Sequence, residues 1–461
     1  MLGLLRFPHR CGAVFALLLA ILLLAPAVAS ASHFLIDVNG KIPADLADRV
    51  AAAGGTLDRV YPEIGYAYAS SGAADFATLL GADQAIGDVT QDVFLQWTPE
   101  PTQMVTAQAP TAAAPAADPT TAFFYPCQWN MRNIEADGAW ALGELGDPNV
   151  KVAVLDSGID PTHNDTVGLI DLANSTSFLS PGSSPCNAIL GLPDEETYLD
   201  FRFHGTFVAT QIVSNAAGIA AVAPDSRIVA VKVLNCNGSG SFGDIIAGIL
   251  YAAELPDVSV INMSLGVPGG IPKNLPGVSQ LLAALNTAVN YAERQGKLVV
   301  SAAGNDGLDM DHSGNTVFLP AEAGSGIAAY ATGWDDSLAS YSNYGVSGTW
   351  VGAPGGDGSY PDPPLPGCVV NQTSQGLVLG ACSQFSVFYG CGPSSYLVGA
   401  GTSFASPIVA GVAALIDGQA GGALNGHQLA TQLAISADDL GDPGTDIIYS
   451  HGRVNAKKAV E

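Results

Sequence analysis

Basic residues are scarce in this chain. Lysine and arginine together number 16 in 461 residues, against 42 aspartates and glutamates, and the formal net charge is −26. So acidic a surface repels phosphate backbones, which excludes nucleic acid as a partner. It favours solubility and points to a salty or extracellular setting. Charge of either sign is thin, 13% of residues, while 48% are hydrophobic and glycine and proline number 54 and 29. That balance argues against long disorder and for a compact protein with many tight loops. Long hydrophobic runs are missing after the first residues, so no later segment is expected to span a membrane. No cysteines stand at zinc-ligand spacing, and no internal repeat is evident.

What the N-terminus does contain decides the compartment. Arg6, His9 and Arg10 precede the apolar run Ala13–Ala25, and PAVASAS follows. This is a charged region, a hydrophobic stretch short of the roughly 20 residues of a spanning helix, and a small-residue cleavage site. Residues 1–31 are therefore expected to be a signal peptide, cut after Ala29 or Ala31, and the protein to be secreted. Cys11 leaves with that peptide. The remaining Cys127, Cys186, Cys236, Cys368, Cys382 and Cys391 are even in number, which in an exported chain favours disulfides. Three crowd into residues 368–391, so at least one of these is expected to pair further away.

Along the chain, residues 32–97 suggest a small α+β unit. HFLIDV reads as a strand, ADLADRVAAAGG as a short helix, TLDRVYPEIGYAYAS as two strands, AADFATLLGA as a second helix, and the end near DVFLQW as a last strand. The order β-α-β-β-α-β is ferredoxin-like. Residues 98–121 are rich in proline, alanine and threonine and read as an extended, protease-accessible linker. From 122 to 461 short apolar runs, KVAVLD, RIVAVKVL, VSVINMSL, KLVVSAAG and GIAAYATG, alternate with helical stretches such as GDIIAGILYAAE. Runs apolar on both faces belong to buried parallel strands. The expected fold is α/β with a mainly parallel sheet flanked by helices, and sites in such sheets form at the carboxyl ends of the strands.

Four short segments stand out, two at strand ends and two at helix starts. VAVLDSGID places Asp156 after a buried strand, FHGTFVAT places His204 before a small-residue helix, SAAGND places Asn305 after a strand, and GTSFASP places Ser403 at a helix start. Singly, each has a plain explanation: a turn aspartate, a structural histidine, a turn asparagine, an N-capping hydroxyl. Together, in the order Asp, His, Ser, they resemble the subtilisin-like (subtilase) serine proteases. VAVLDSGID resembles that family's Asp motif, HGTFVA its His motif and GTSFASP its Ser motif, with VINMSLG, SAAGND, YSNYG and GRVNAKKAV also similar. The similarity runs from about Gln128 to the C-terminus, and residues 33–96 resemble the family's inhibitory propeptide.

The resemblance implies a serine endopeptidase made as an autoprocessed preproenzyme, acting as a monomer on protein or peptide substrates without a catalytic cofactor. Ser403 would be the nucleophile, His204 its base, Asp156 the group orienting the base, and Asn305 an oxyanion donor. Ser264, Leu265 and Gly266 would pair with extended substrate, and Ala302, Ala303 and Gly304 would wall the primary pocket. Phe318, counted from Pro320, would floor that pocket, and Asp306 would point away from it. Uncharged side chains of medium size would then be preferred and Lys or Arg cut poorly. The chain also departs from the family. Phe207 replaces the second histidine of the His motif and Thr210 the glycine after it. SNAAGIAAVAP is shorter than the loop that supplies calcium ligands near Asp165, and lacks their acidic or amide side chains. Residues 176–199 and 357–396 read as cysteine-bearing insertions stapled near the active-site face. A catalytically silent scaffold on this fold would be expected to lack a triad residue. An esterase with a nucleophile elbow would need G-x-S-x-G and the order Ser, acid, His, and Ser403 has neither.

Overall fold

The structure is a computed structural model that describes residues 31–98, 105–108, 118–359, 365–370 and 375–461. All of the expected signal peptide but Ala31, and most of the expected linker, lie outside the described residues.

The N-terminal unit is a four-stranded antiparallel sheet with two helices: β1 (Ser32–Val38), α1 (Leu46–Ala52), β2 (Gly55–Tyr61), β3 (Tyr66–Ser71), α2 (Phe76–Gly81) and β4 (Ile86–Gln91). The sheet order is β2-β3-β1-β4. The two-residue period of β1 divides its side chains. Phe34 and Ile36 meet Leu46, Val50, Phe76 and Leu80 in the unit's own core, while Leu35 joins the core of the following domain. The last strand differs from the expectation. The ladder of this unit closes with β4, and the next residues form β5 (Phe94–Gln96), which pairs elsewhere. Part of the expected linker is likewise ordered, as the strand β6 (Val105–Gln108).

The remainder is an α/β domain. Its main elements include β7 (Lys151–Asp156), β8 (Thr176–Ser177), α3 (His204–Ile212), β9 (Arg227–Lys232), β10 (Ser239–Ser241), α4 (Phe242–Glu254), β11 (Val258–Met263), α5 (Val278–Arg294), β12 (Leu298–Ala302), β13 (Ile327–Thr332), β14 (Val351–Pro354), β15 (Val378–Ala381), β16 (Ser395–Gly399) and α6 (Thr402–Gln419). Seven strands form one parallel sheet in the order β14-β13-β12-β11-β7-β9-β8. The apolar runs read as strands are these strands. In β7, Val152 and Val154 face α3 and α6 on one side, and Ala153 and Leu155 face α4 and α5 on the other. Neither face meets water, which is why the run is continuous rather than alternating. β15, β16 and β6 make a separate antiparallel sheet of three strands.

The six cysteines pair as Cys127–Cys368, Cys186–Cys236 and Cys382–Cys391. Of the three crowded cysteines, Cys368 reaches across 241 residues. No helix among the described residues is long and apolar enough to cross a membrane.

Two units meet along α4. Tyr68 donates to Asp92 (2.7 Å), and Asp92 accepts the backbone N–H groups of Phe242 (3.1 Å) and Gly243 (2.9 Å) at the start of that helix. A carboxylate at a helix N-terminus takes up donors that have no partner within the helix. The ring of Tyr68 lies so close to Gly243 that a Cβ there would fall 2.2 Å from it. Arg59 reaches Asp244 (3.2 Å) and the carbonyl of Phe178 (2.8 Å). Burial pushes the carboxyl pKa of both Asp92 and Asp244 above the ordinary 3.8.

Candidate active site

β7 ends on Asp156, which is fully buried. His204 opens α3, and its Nδ1 lies 2.8 and 2.9 Å from the two carboxylate oxygens of Asp156. A buried carboxylate needs such partners, and here it fixes which imidazole nitrogen carries the proton. The turn into α3 is held by Asp200, whose carboxylate accepts from Ser157 Oγ, from the N–H of Arg202 and Phe203, and from Thr206 N–H and hydroxyl. Burial raises its pKa above 3.8. Beneath it Lys232 is fully buried, 2.6 Å from Asp194 and bonded to the carbonyls of Ser157 (2.8 Å) and Leu199 (2.7 Å). The ammonium therefore holds the residue after Asp156 in place, and burial lowers its pKa.

Ser403 is the second residue of α6, in the turn whose N–H groups have no intrahelical acceptor. Neither Thr402 nor Ser403 caps the helix with its side chain: Gly401 is the capping residue. Thr402 turns to Asn305 instead. Its N–H (2.9 Å) and hydroxyl (2.8 Å) both donate to Asn305 Oδ1. The amide oxygen is thus taken, and the NH₂ group is left as the free donor beside Gly401 and Ser403. The Ser403 hydroxyl donates to the carbonyl of Ser264 (3.2 Å) rather than to His204. Ser264 in turn is tied to Asn262 (2.9 Å) and Ser406 (2.8 Å), which clamps the end of β11 to α6.

A cavity of about 70 Å³ opens here, lined by Trp97, Gly266, Ala302, Gly304, Asn305 and Ser403 among others. Leu265 turns its side chain into the core. Ala303 and Phe318 are placed away from the cavity lining, with Phe318 buried against Ala303, Met310, Ala321 and Ala328. The ring fills a satellite core, so the expected aromatic floor is not where the structure puts it. Asp306, expected to point away, lines the cavity and accepts the N–H of Gly269 (2.7 Å). The exclusion of basic side chains therefore does not follow from this pocket.

Sequence reasoning missed what occupies the cleft. β5 pairs antiparallel with β10, and the chain continues between β10 and the Gly266 segment. Trp97 N–H donates to the carbonyl of Gly238 (2.9 Å), its indole N–H to that of Gly240 (2.9 Å), and its own carbonyl accepts from Gly266 N–H (2.8 Å). The indole is fully buried, edge-on to Phe242 at 5.2 Å. The only hint in the sequence is the alternation in DVFLQW, which names a strand without naming its partner.

The family departures have local reasons. Phe207 stacks at 4.0 Å on Phe404, the residue after Ser403. Thr210 accepts the N–H of Ala381 and so joins α3 to β15. Asp165 accepts from the N–H groups of Ala217, Gly218 and Ile219 and from Tyr396. Its oxygens face hydrogen-bond donors on all these sides, the reverse of the oxygen cage that calcium needs, so the residues do not fit that ion. The one His, Cys, Asp and Glu cluster of metal-binding size among the described residues contains the Cys186–Cys236 disulfide and Asp194, hence no thiolate.

Comparison with known proteins agrees with this geometry. The Subtilase family model, Peptidase S8, matches residues 147–452. A thermophilic serine proteinase of Bacillus sp. (strain AK1) is 33% identical over 345 residues, 74% of this chain and 69% of that relative. Thermitase of Thermoactinomyces vulgaris is 32% identical over 348 residues, 74% of this chain and 99% of thermitase. Among solved structures, the epidermin leader peptide processing serine protease of Staphylococcus aureus shares the fold, with a TM-score of 0.74 over 94% of this chain and 98% of that one at 22% identity. The chain belongs to the subtilase family and is a serine endopeptidase.

Proposed function

We propose that the protein is a secreted subtilase made as a preproenzyme, with Asp156, His204 and Ser403 as its triad. The observation that carries the reading is the Asp156–His204 pair, a buried carboxylate gripping one imidazole nitrogen. In the reaction Ser403 rotates from the Ser264 carbonyl to His204 Nε2 and attacks the substrate carbonyl as the imidazole takes its proton. Negative charge builds on the carbonyl oxygen, where the NH₂ of Asn305 and the N–H of Ser403 receive it. His204 then gives its proton to the leaving amine, and water releases the acyl group by the same route. No step calls on a cofactor. The test is labelling and casein digestion by purified enzyme: a serine-directed phosphonate should label wild type and abolish digestion, and Ser403→Ala should show neither.

Residues 32–97 we read as the propeptide and residues 98–121 as the linker cut on maturation, with the peptidase domain from 122 to 461. What supports this is the position of Trp97, whose backbone bonds to Gly238 and Gly266 are those an extended substrate would make by strand addition. The N-terminal unit then inhibits by standing in the substrate's place. The charged and apolar leader of residues 1–31 supports export. The mature enzyme we take to be a monomer acting on proteins and peptides.

A further inference from the structure

Part of the linker is held as the strand β6 against β16, in the short sheet that β15 completes. The far side of β15 is taken by α3: the Ala381 N–H donates to Thr210 Oγ1 (3.0 Å), and Gln211 Nε2 donates to the Leu379 carbonyl (2.7 Å). Between β15 and β16, the Cys382 N–H donates to the Ser395 carbonyl (2.8 Å), so Ser395 faces β15. Successive residues of an antiparallel strand face opposite neighbours, which turns the N–H and C=O groups of Tyr396 and Val398 outward. There they meet β6, in the register Tyr396 to Ala107 and Val398 to Val105. All of β16 is buried, so these outward backbone groups need partners. The same chain is held eight residues before Val105, where Trp97 lines the cavity of Ser403. β16 leads into Ser403, five residues past Val398, and β6 runs against it. The chain is therefore bonded first beside the nucleophile and again while running away from the Ser403 end of β16. That is the course the leaving side of a bound substrate would take.

We propose that the outer edge of β16 is a second substrate-binding surface, which takes by strand addition the extended backbone on the C-terminal side of the cut. The inference rests on the protease reading above. In the full-length chain residues 105–108 stand in for that backbone, as Trp97 does in the cleft. Once the linker is cut away, the outward groups of Tyr396 and Val398 are left for the substrate. Each ladder pair facing β16 exchanges both of its N–H···O bonds, so recognition is by main chain and not by side-chain identity. These bonds lie away from the reacting carbonyl and are the same before and during the reaction. Their gain therefore falls on KM and leaves kcat unchanged. An enzyme so built favours chains with a long leaving side over short peptides.

The test starts from a casein peptide that purified active enzyme cuts at a site located by product mass. Quenched versions keep its N-terminal side fixed and carry from two residues after the cut up to ten, the reach from Thr98 to Gln108. Across the series kcat/KM should rise at least about tenfold, a modest return for two ladder pairs. Methylating the amides of the longest peptide one at a time should erase most of the gain at alternate residues, the period of a strand. Val398→Pro removes an outward N–H and sets a ring against the added strand, and should cut the gain to about threefold or less. If that variant fails to fold, the methylation scan decides. A flat series, a loss without alternation, or a gain unchanged in folded Val398→Pro overturns the proposal while leaving the protease reading intact. So does active enzyme whose N-terminus still includes residues 105–108, since its edge stays covered. Wild type that fails to digest casein overturns both.

Discussion

At Ser403 the hydroxyl bonds the Ser264 carbonyl, and in the proposed reaction it turns to the His204 imidazole instead. Asn305 is prepared differently. Both donors of Thr402 converge on its oxygen, so the NH₂ group is aimed before any substrate arrives. Ser403→Ala and His204→Ala should abolish turnover. Asn305→Ala should lower kcat by about 10²–10³ with little change in KM, a loss established on a subtilisin for its oxyanion-hole asparagine. Thr402→Val should do part of the same damage from one residue away, by releasing the amide to flip. Michaelis curves on a neutral peptide separate these outcomes, and a raised KM with unchanged kcat for Asn305→Ala would remove the oxyanion assignment.

At the scale of elements, the strands of the parallel sheet were legible because burial on both faces leaves a local mark, a continuous apolar run such as KVAVLD. The proposed triad lies in equally local patterns: Asp156 ends a strand, His204 and Ser403 stand in the first turn of a helix, and each motif spans only a few positions. What was not legible depends on contacts distant in sequence. β5 is three residues long and pairs with β10 some way into the next domain, so its local pattern could not say that it leaves the N-terminal sheet. The ring of Phe318 was misplaced because counting from Pro320 fixes a backbone position but not the direction of a side chain, which Met310 and Ala328 settle by packing. The grip of Thr402 on Asn305 spans 97 residues. Disulfide pairing was equally silent, and it carries a prediction. Cys127–Cys368 closes 241 residues, whereas Cys382–Cys391 closes 9. On loop entropy, removing the first pair by Cys→Ser should destabilise the protein by about 3 kcal/mol more than removing the second. Denaturant unfolding of the two double variants tests the order.

At the scale of the whole molecule, two units are joined by a buried acidic seam and by a chain lying in the cleft. The full-length protein should stay inactive until cut, and N-terminal sequencing of active enzyme should find a start between residues 98 and 124. An active form beginning near His33 would contradict the inhibitory role. The seam adds a pH dependence. Burial raises the pKa of Asp92 and Asp244, so the docked state binds protons more tightly than the separated one. The stabilisation is complete below the ordinary 3.8 and is lost as pH climbs through the raised values. In Ser403→Ala protein nicked within the linker, the N-terminal unit should co-elute with the domain more fully at pH 4 than at pH 8, and Asp92→Asn should flatten that difference. Once the unit departs, the groove that held Trp97 is a gap between two backbone edges, each with donors and acceptors unsatisfied. Only a chain drawn out over several residues, on the order of 17 Å, can fill such a gap. A folded protein offers that length only when part of it opens. The rate at which this protease destroys a client is then set by the client's own opening free energy, so that it discriminates among proteins by how firmly they are folded before it reads any side chain.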